Sequence, residues 1–578
     1  MPSCHDTRVV DLVSRIVDWA TAQSASALDQ SAVPGASLQE RRALAAMGGL
    51  ASGLPSHEVR LWPEPLRRWA MEAPALPVDL GIALREPSSA QSEVLAQAYE
   101  RLVGGRNRRR LGTFFTPPAI VDFMLECSQA QVGAPAVVID PGAGVGAFSL
   151  AARRRWPKAE VYAVDVNVVT LGLLAAQTKG EVTLVLDDYL SWATGPEVPT
   201  AAAGPRLWIG NPPYTRHQEL SPEVKRHARL ASKTLVTSGL ASLSAYFLAV
   251  TLAVLAPDDG MCFLLPGSWT GARYGQPVRE ALRRMTRRRI QVHGFASDVE
   301  VFPGTRVTAM IVTVGPVRST AQILTTSHAR VTKRGVFATP DQTRGRDGID
   351  QLGRWLWQGH DYRLRGSVTL GDVARIRRGV ATGANAFFLL TDRERASFPA
   401  GSTLPAVRRL RNLTGDALSA TAHDLLGKGG ERRWLLYLAD PNLLGDPIIS
   451  KWLDLAKEAE VHKRFLPSHR EPWYLVEKVV PPDVIVSPMG KGRLRAVVNQ
   501  VRAIPANALY GVYLHDHAEM AEQLVAWLNG REGQRALLAH ARPYGSGLFK
   551  LEPRDLAAVR IPRHFDSSSF DAVRQDNP

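Results

Sequence analysis

Apolar residues follow two rhythms across residues 111–315 of the 578-residue chain. Short, nearly continuous apolar runs occur at Ala136–Ile139, Val161–Val164, Thr183–Leu186, Leu207–Ile209 and Met261–Leu265. Runs of this length suit strands buried on both faces. Between them apolar positions recur at helical spacing, through Arg154 after the first run and around Tyr246–Leu255 before the last. A later pair, Ile290–Phe295 and Val307–Val314, reads as two more strands. Strands alternating with helices predict an α/β, Rossmann-like domain with a mostly parallel sheet covered on both faces.

On either side the rhythm changes. Val9, Val10, Leu12, Val13, Ile16 and Val17 recur as on an amphipathic helix, and Ser89–Leu102 predicts another. Pro34, Gly35, Pro55 and the stretch Pro74–Pro77 divide this region. Packing against the next domain and contact with a partner are both open to it. From about residue 320 the apolar runs are short and broken by Gly, Pro and Arg, as in VARIRRGVATG, PPDVIVSPM and LYGVYL. They predict a second, mixed α/β domain, with Val336–Asp350 as a linker or exposed loop. The expected division is therefore a helical region over 1–100, a catalytic domain over 101–320 and a final domain over 321–578.

A formal charge of +15 favours a polyanionic partner. Arginine is concentrated in Arg101–Arg110 and again at Arg283, Arg284, Arg287, Arg288 and Arg289, where phosphate contacts and a solvated face both fit. Cys4, Cys127 and Cys262 are too far apart for a disulfide framework or a zinc cluster, so no metal site is expected. The opening MPSCHDTRVVDLVSR lacks the pattern of a signal peptide, and the apolar run Ala249–Ala256 is too short to span a bilayer. These features predict a soluble cytoplasmic protein without a membrane segment.

The candidate chemistry lies at the ends of the predicted strands. Val137–Ile139 runs into Asp140, Pro141, Gly142, Ala143, Gly144, Val145 and Gly146, where small residues permit a sharp turn and close approach of a ligand. In open α/β sheets ligands sit at such a place. The next strand ends at Asp165, whose carboxylate suits ribose hydroxyls or the cap of the following helix. The third ends at Asp187, Asp188 and Tyr189. Either aspartate could hold an adenine amino group with Tyr189 beside the ring, and a simple turn is the competing reading. The strongest motif, Asn211-Pro212-Pro213-Tyr214, follows the fourth strand. Two prolines fix the backbone into a rigid rim. From it the Asn211 oxygen and the Pro212 carbonyl can accept both N–H bonds of an aromatic amine, drawing its lone pair out of conjugation. Tyr214 can stack on the base.

These motifs resemble the amino-methylating DNA methyltransferases of restriction–modification systems. More narrowly, the chain resembles the gamma-ordered adenine enzymes, the group of the Taq and Pst methyltransferases. LGTFFTPPAIVDFM, DPGAGVGAF, VDVN, DDYLSW, NPPY and VFPGTRVTAMIV match in that order. The resemblance implies S-adenosyl-L-methionine as cofactor, with Thr116 and Pro117 near its methionine part, Asp140, Gly142 and Gly144 in the glycine turn, Asp165 on the ribose, and Asp188 with Tyr189 at the adenine. It implies Asn211, Pro212, Pro213 and Tyr214 as the catalytic motif and Phe302 against a flipped base. Asp165 stands where the family often has glutamate.

The resemblance further implies a C-terminal target recognition domain acting on double-stranded DNA. RRGVATGANAFFLL looks like its opening, and Arg377, Arg378 and Arg409 are expected near the duplex, with His469, Arg470, Trp473 and Tyr474 as another cluster. NPPY favours N6 of adenine, with N4 of cytosine as the alternative. No nuclease signature is evident, so any cognate restriction endonuclease is expected to be a separate protein. A monomer or weak dimer is expected.

Overall fold

The computed structural model describes residues 4–565 apart from 31–32, 34, 53–58, 86–90, 105–114, 179, 201, 203, 233–234, 237, 296–300, 303–307, 319–322, 333–334, 340–341, 345–347, 350–351, 353–366, 516–519 and 545–547. The chain forms two compact units, Met1–Leu356 and Trp357–Pro578. Much of the arginine-rich stretch before residue 111, the start of the LGTFFTPP segment and the middle of RPYGSGLF lie outside the described residues.

The first unit is built on one sheet. Its first five strands are β1 (Val137–Pro141), β2 (Glu160–Asp165), β3 (Thr183–Leu186), β4 (Arg206–Gly210) and β5 (Gly260–Pro266). Five more follow: β6 (Arg288–Phe295), β7 (Ala309–Val317), β8 (Ile323–Thr332), β9 (Gly335–Ala338) and β10 (Gln342–Arg344). The order is β10-β8-β6-β7-β5-β4-β1-β2-β3, with β9 paired to β8. Strands β1 to β5 run parallel, and β7 is antiparallel between β5 and β6. Strand order reverses at β1, which lies between β2 and β4. In sheets of this kind ligands bind beside such a reversal, at the carboxyl ends of the strands.

The division between units falls beyond residue 320 because β8 pairs in parallel with β6 and β10 extends the same sheet. The expected linker Val336–Asp350 thus supplies most of β9 and all of β10. Arg288, in the run read as phosphate contacts or a solvated face, is 6% exposed and fits neither. It donates to the carbonyls of Asp259, Gly315 and Ala256, which makes it a structural clamp.

Before the sheet come helices α1 (Cys4–Ala22), α2 (Leu38–Ala46), α3 (Gly48–Ser52), α4 (Glu64–Met71), α5 (Val78–Arg85) and α6 (Gln91–Leu102). Helix α7 (Pro118–Val132) leads into β1, α8 (Ala147–Arg155) follows it, and α9 (Val168–Thr178) follows β2. In α9 Val168–Ala176 and Thr178 are all buried. A helix apolar on every side must be covered on every side. The sheet covers one side of α9, and α3, α4 and α6 cover the other. Trp69 of α4 lies so close to Gly172 that a Cβ there would sit 2.2 Å from the indole. Its own Nε1 donates to the Leu44 carbonyl at 3.1 Å. Val13, Leu66 and Tyr99 thus share one core with Val169 and Leu173. Packing on the catalytic sheet is what this region does.

The second unit contains a four-stranded sheet in the order Ala374–Arg378, Tyr510–Leu514, Val484–Ser487, Arg495–Val498. Helices Ala521–Asn529 and Arg531–His540 pack on one face through Leu524, Val525, Leu528 and Leu537. On the other face Ile485 and Val497 pack with Val407 and Leu410. A further four-stranded group brings together Leu389–Leu390, Trp434–Leu436, Thr403–Val407 and Ile504–Pro505. No described helix is long and apolar enough to cross a membrane.

Candidate active site

At the end of β1 the chain turns through Gly142, Gly144 and Gly146 with φ of 71°, 56° and 88°. These left-handed values favour glycine. The bare turn is closely enclosed. A Cβ on Gly142 would lie 3.3 Å from Pro213, and one on Gly144 would lie 3.4 Å from the Phe115 ring. The glycine turn therefore touches both the NPPY rim and the residue before Thr116. Thr116 itself is 8% exposed, and Pro117 caps α7.

Three carboxylates surround the turn, each held differently. Asp140 is 1% exposed. Its Oδ2 accepts from the Ser149 amide at 2.9 Å and the Ser149 hydroxyl at 2.6 Å. Its Oδ1 is buried and without a hydrogen-bond partner among the described residues. That oxygen lies 3.0 Å from where a Cβ of Gly210 would be, beside Asn211. Burial raises the Asp140 pKa to about 7, with a smaller contribution from Asp165, against the lowering effect of Ser149. Asp165 accepts from the Gly144 amide at 2.7 Å through Oδ2 and from the Asn167 amide at 2.8 Å through Oδ1. Burial raises its pKa too, against those backbone donors. Asp188 caps the short helix α10 (Tyr189–Trp192) by accepting from Leu190 at 3.1 Å, while its other oxygen lies 3.8 Å from His227 Nε2. Asp187 is exposed and accepts from the Asp188 amide. The structure thus gives Asp188 a capping role and leaves one oxygen turned towards His227.

Tyr189 is the clear departure from expectation. It is 2% exposed, its ring stacks on Phe247 at 4.8 Å, and its hydroxyl pairs with Thr251 at 2.6 Å. As the first residue of a helix covering the sheet, its side chain points into the core and cannot flank an adenine ring.

On the catalytic side, Asn211 follows the last residue of β4 and is half-buried. Tyr214 and Phe302 meet edge-to-face, with centroids 5.8 Å apart and planes at 84°. Burial raises the Tyr214 pKa well above its ordinary value. Phe302 is 3% exposed, so it packs behind Tyr214 and does not form an open aromatic wall. Phe115, Asn167 and Tyr99 were not anticipated as parts of the site. Phe115 lies within the matched LGTFFTPP segment, whereas nothing local marks Tyr99.

In the second unit Arg377 is exposed, and Arg409 is exposed on a turn. Arg378 points to the other face of its strand, forms an ion pair with Glu552 and lies over the Tyr510 ring at 5.9 Å. It is therefore engaged within the unit. Arg470 donates to the Thr382 and Ala381 carbonyls, and Trp473 packs near Phe387, so both are structural.

Comparison with known proteins agrees with this arrangement. Residues 207–302, spanning NPPY, match the Eco57I restriction-modification methylase family, and residues 362–577 match the C-terminal domain of the type II methyltransferase M.Eco57I. The chain matches models of the Eco57I family of type II DNA methyltransferases in both of its units. It is thus a site-specific, adenine-specific, S-adenosylmethionine-dependent enzyme of the restriction–modification type. Type II methyltransferase M.XamI of Xanthomonas campestris pv. amaranthicola is 28% identical over 481 residues, covering 79% of this chain and 86% of that one. M.AccI of Acinetobacter calcoaceticus is 22% identical over 487 residues, with the same shares covered. The type IIL restriction-modification enzyme MmeI, solved with DNA, has a similar fold: TM-score 0.55, 13% identity, 96% of this chain and 85% of that one.

The residues at hand fit the cofactor of an Eco57I-family enzyme. Asp140 Oδ1 is a buried acceptor awaiting a donor, and the Gly142–Gly144 turn is a cradle that any side chain would fill. A titration follows from the Asp140 environment. Its raised pKa means that the free protein holds the proton until pH approaches 7. The associated folding stability is greatest below about pH 4 and declines as pH rises through about 7. Binding of a cation has the opposite preference, because it favours the carboxylate. Cofactor affinity should therefore fall by up to roughly twenty-five-fold from pH 7.5 to pH 5.5, as the ionised fraction of a group with a pKa of about 7 drops from about three-quarters to about 3%. Calorimetry at each pH checks this, and Asp140→Asn should flatten the profile. A flat profile for the wild type would remove Asp140 from cofactor contact.

Proposed function

We propose that the NPPY rim transfers a methyl group to N6 of an adenine flipped out of double-stranded DNA, with the cofactor in the adjoining glycine turn. The observation that carries this reading is the contact of Gly142 with Pro213, which joins the cofactor cradle to the catalytic rim. When bound, S-adenosylmethionine supplies an electrophilic methyl group. Asp165 accepts the ribose hydroxyls, and Asp188 faces the adenine end. Asn211 Oδ1 and the Pro212 carbonyl accept the two N–H bonds of the target amine and favour a pyramidal nitrogen. The preorganised rim makes these contacts strongest as positive charge develops on that nitrogen. Tyr214, braced from behind by Phe302, offers its ring to the extruded base.

Digestion of DNA treated with enzyme and cofactor, followed by mass measurement of the nucleosides, tests the base assignment. N6-methyldeoxyadenosine is expected, and N4-methyldeoxycytidine in its place would overturn it.

The second unit is proposed to read the DNA sequence, with Arg377 and Arg409 on its exposed surface. Arg377→Ala should weaken duplex binding and reduce its dependence on salt concentration by about one phosphate contact. Arg378→Ala should instead act within the unit, lowering thermal stability slightly by removing one of the two cations on Glu552, Lys550 being the other. Measurement of Kd against salt together with melting curves separates the two. Equal salt slopes for Arg377→Ala and wild type would remove Arg377 from the interface. A separate cognate endonuclease and a cytoplasmic location complete the proposal.

A further inference from the structure

We propose that Tyr99, in the N-terminal helical layer, is a positioning residue for the cofactor cleft, bracing both the Asp165 wall and the Phe115 wall. This rests on the cofactor reading given above.

Tyr99 is fully buried on α6, some distance in sequence from every methyltransferase motif. Its hydroxyl accepts a hydrogen bond from Asn167 Nδ2 at 2.9 Å. Asn167 lies at the start of α9. Its Oδ1 accepts from the Val169 amide at 3.0 Å, and its own amide donates to Asp165 Oδ1 at 2.8 Å. Asp165 Oδ2 in turn accepts from Gly144 at 2.7 Å. Gly144 leaves just enough room for the Phe115 ring, 3.4 Å from the position of a Cβ. Phe115 returns to Tyr99, whose ring it meets edge-to-face at 6.0 Å and 81°. The contacts close a circuit, Tyr99–Asn167–Asp165–Gly144–Phe115–Tyr99, around the cofactor turn.

Packing alone does not account for the hydroxyl. A phenylalanine would fill nearly the same volume, and a phenol buried without a partner is costly. The hydroxyl has a specific effect: it accepts one amide proton of Asn167. That choice presents Oδ1 to Val169 and holds the backbone N–H on Asp165. Without it the side-chain amide keeps only the Val169 bond, and the carboxylate is seated less rigidly for ribose hydroxyls. The ring acts separately, by holding Phe115 over the glycine turn. Pre-formed walls lower the ordering cost of binding, so this brace acts on affinity.

The test compares Tyr99→Phe and Tyr99→Leu with wild type, using S-adenosylmethionine as the calorimetric ligand. Tyr99→Phe should weaken cofactor binding roughly threefold to tenfold, the usual worth of one hydrogen bond. Its single-turnover rate with cofactor and DNA saturating should stay within about twofold, giving a KM effect without a kcat effect. Tyr99→Leu should lose more affinity, because the ring contact with Phe115 goes as well. Cofactor affinity in Tyr99→Phe within about 1.5-fold of wild type would overturn the proposal and leave Tyr99 as a core residue. Should Tyr99→Leu fail to fold, Tyr99→Phe decides alone. Asp165→Ala is measured in parallel. If it binds cofactor like wild type, the placing of the ribose on Asp165 fails, and with it the reading on which the brace rests. If it loses affinity while Tyr99→Phe does not, only the brace fails.

Discussion

Asn211→Ala should lower single-turnover methyl transfer roughly a hundredfold or more, with DNA and cofactor both saturating. The thermal midpoint and cofactor affinity should stay near wild type. The side chain follows the last residue of β4 and is only half-buried, so its loss opens little of the core. Pro212 and Pro213 continue to hold the turn. What is lost is one acceptor that binds the target amine most strongly as the nitrogen becomes cationic, commonly worth about 2.7–4 kcal/mol. Asn211→Asp keeps an oxygen at the same place and should retain partial activity. Tyr214→Ala acts differently, by removing a stacking surface worth roughly 1–3 kcal/mol per base and by exposing the Phe302 edge behind it. A rate for Asn211→Ala within about threefold of wild type would leave NPPY as a structural turn.

The second large effect is on cofactor binding. Asp165→Ala should weaken S-adenosylmethionine affinity by roughly tenfold to a hundredfold, because hydrogen bonds to a charged group are worth about 1.5–3 kcal/mol. The backbone donors of Gly144 and Asn167 occupy one site on each carboxylate oxygen. The Val166 amide also bonds the carboxylate, and an ionised carboxylate has about four acceptor sites, so room remains for a ribose hydroxyl. The alanine variant loses these acceptor sites and also frees the glycine turn at Gly144. Isothermal calorimetry measures the first loss, and thermal denaturation without cofactor measures the second. Unchanged affinity would show that Asp165 serves only to tie β2 to the turn.

The catalytic sheet could be read before any coordinates because its signals are local. A strand buried on both faces is a continuous apolar run, and the runs at Val137–Ile139 and Leu207–Ile209 became such strands, while Thr183–Leu186 became the half-buried edge strand. Glycine in a left-handed turn and paired prolines after a strand are likewise properties of a few adjacent residues. For the same reason the family resemblance rested on short motifs and agreed with the Eco57I family matches. The boundary near residue 320 did not coincide with the division of units. Strands β8 to β10 have no intervening helices to mark them as part of an α/β sheet, and only pairing with β6 and β8 recruits them.

Side-chain direction was the other unreadable quantity. Tyr189 and Asp188 are neighbours in sequence, yet one turns into the core against Phe247 and the other lies 3.8 Å from His227. Arg377 and Arg378 are neighbours on one strand. Both are exposed, but the pleat sends them to opposite faces, and only Arg378 meets Glu552. Phe302 reads equally well as a wall or as core until Tyr214 is seen to cover it. The N-terminal helices carry no motif, and their place became clear only when Trp69 met Gly172 and Tyr99 met Asn167, contacts that cross 103 and 68 positions of chain. Residue order alone was therefore enough to locate most strands of the sheet, the glycine turn after β1 and the proline rim after β4, since each is encoded within about ten consecutive residues. Tertiary packing alone decided which neighbouring side chains enter the site and which remote helix supports it, because those outcomes depend on burial against residues far away in the chain.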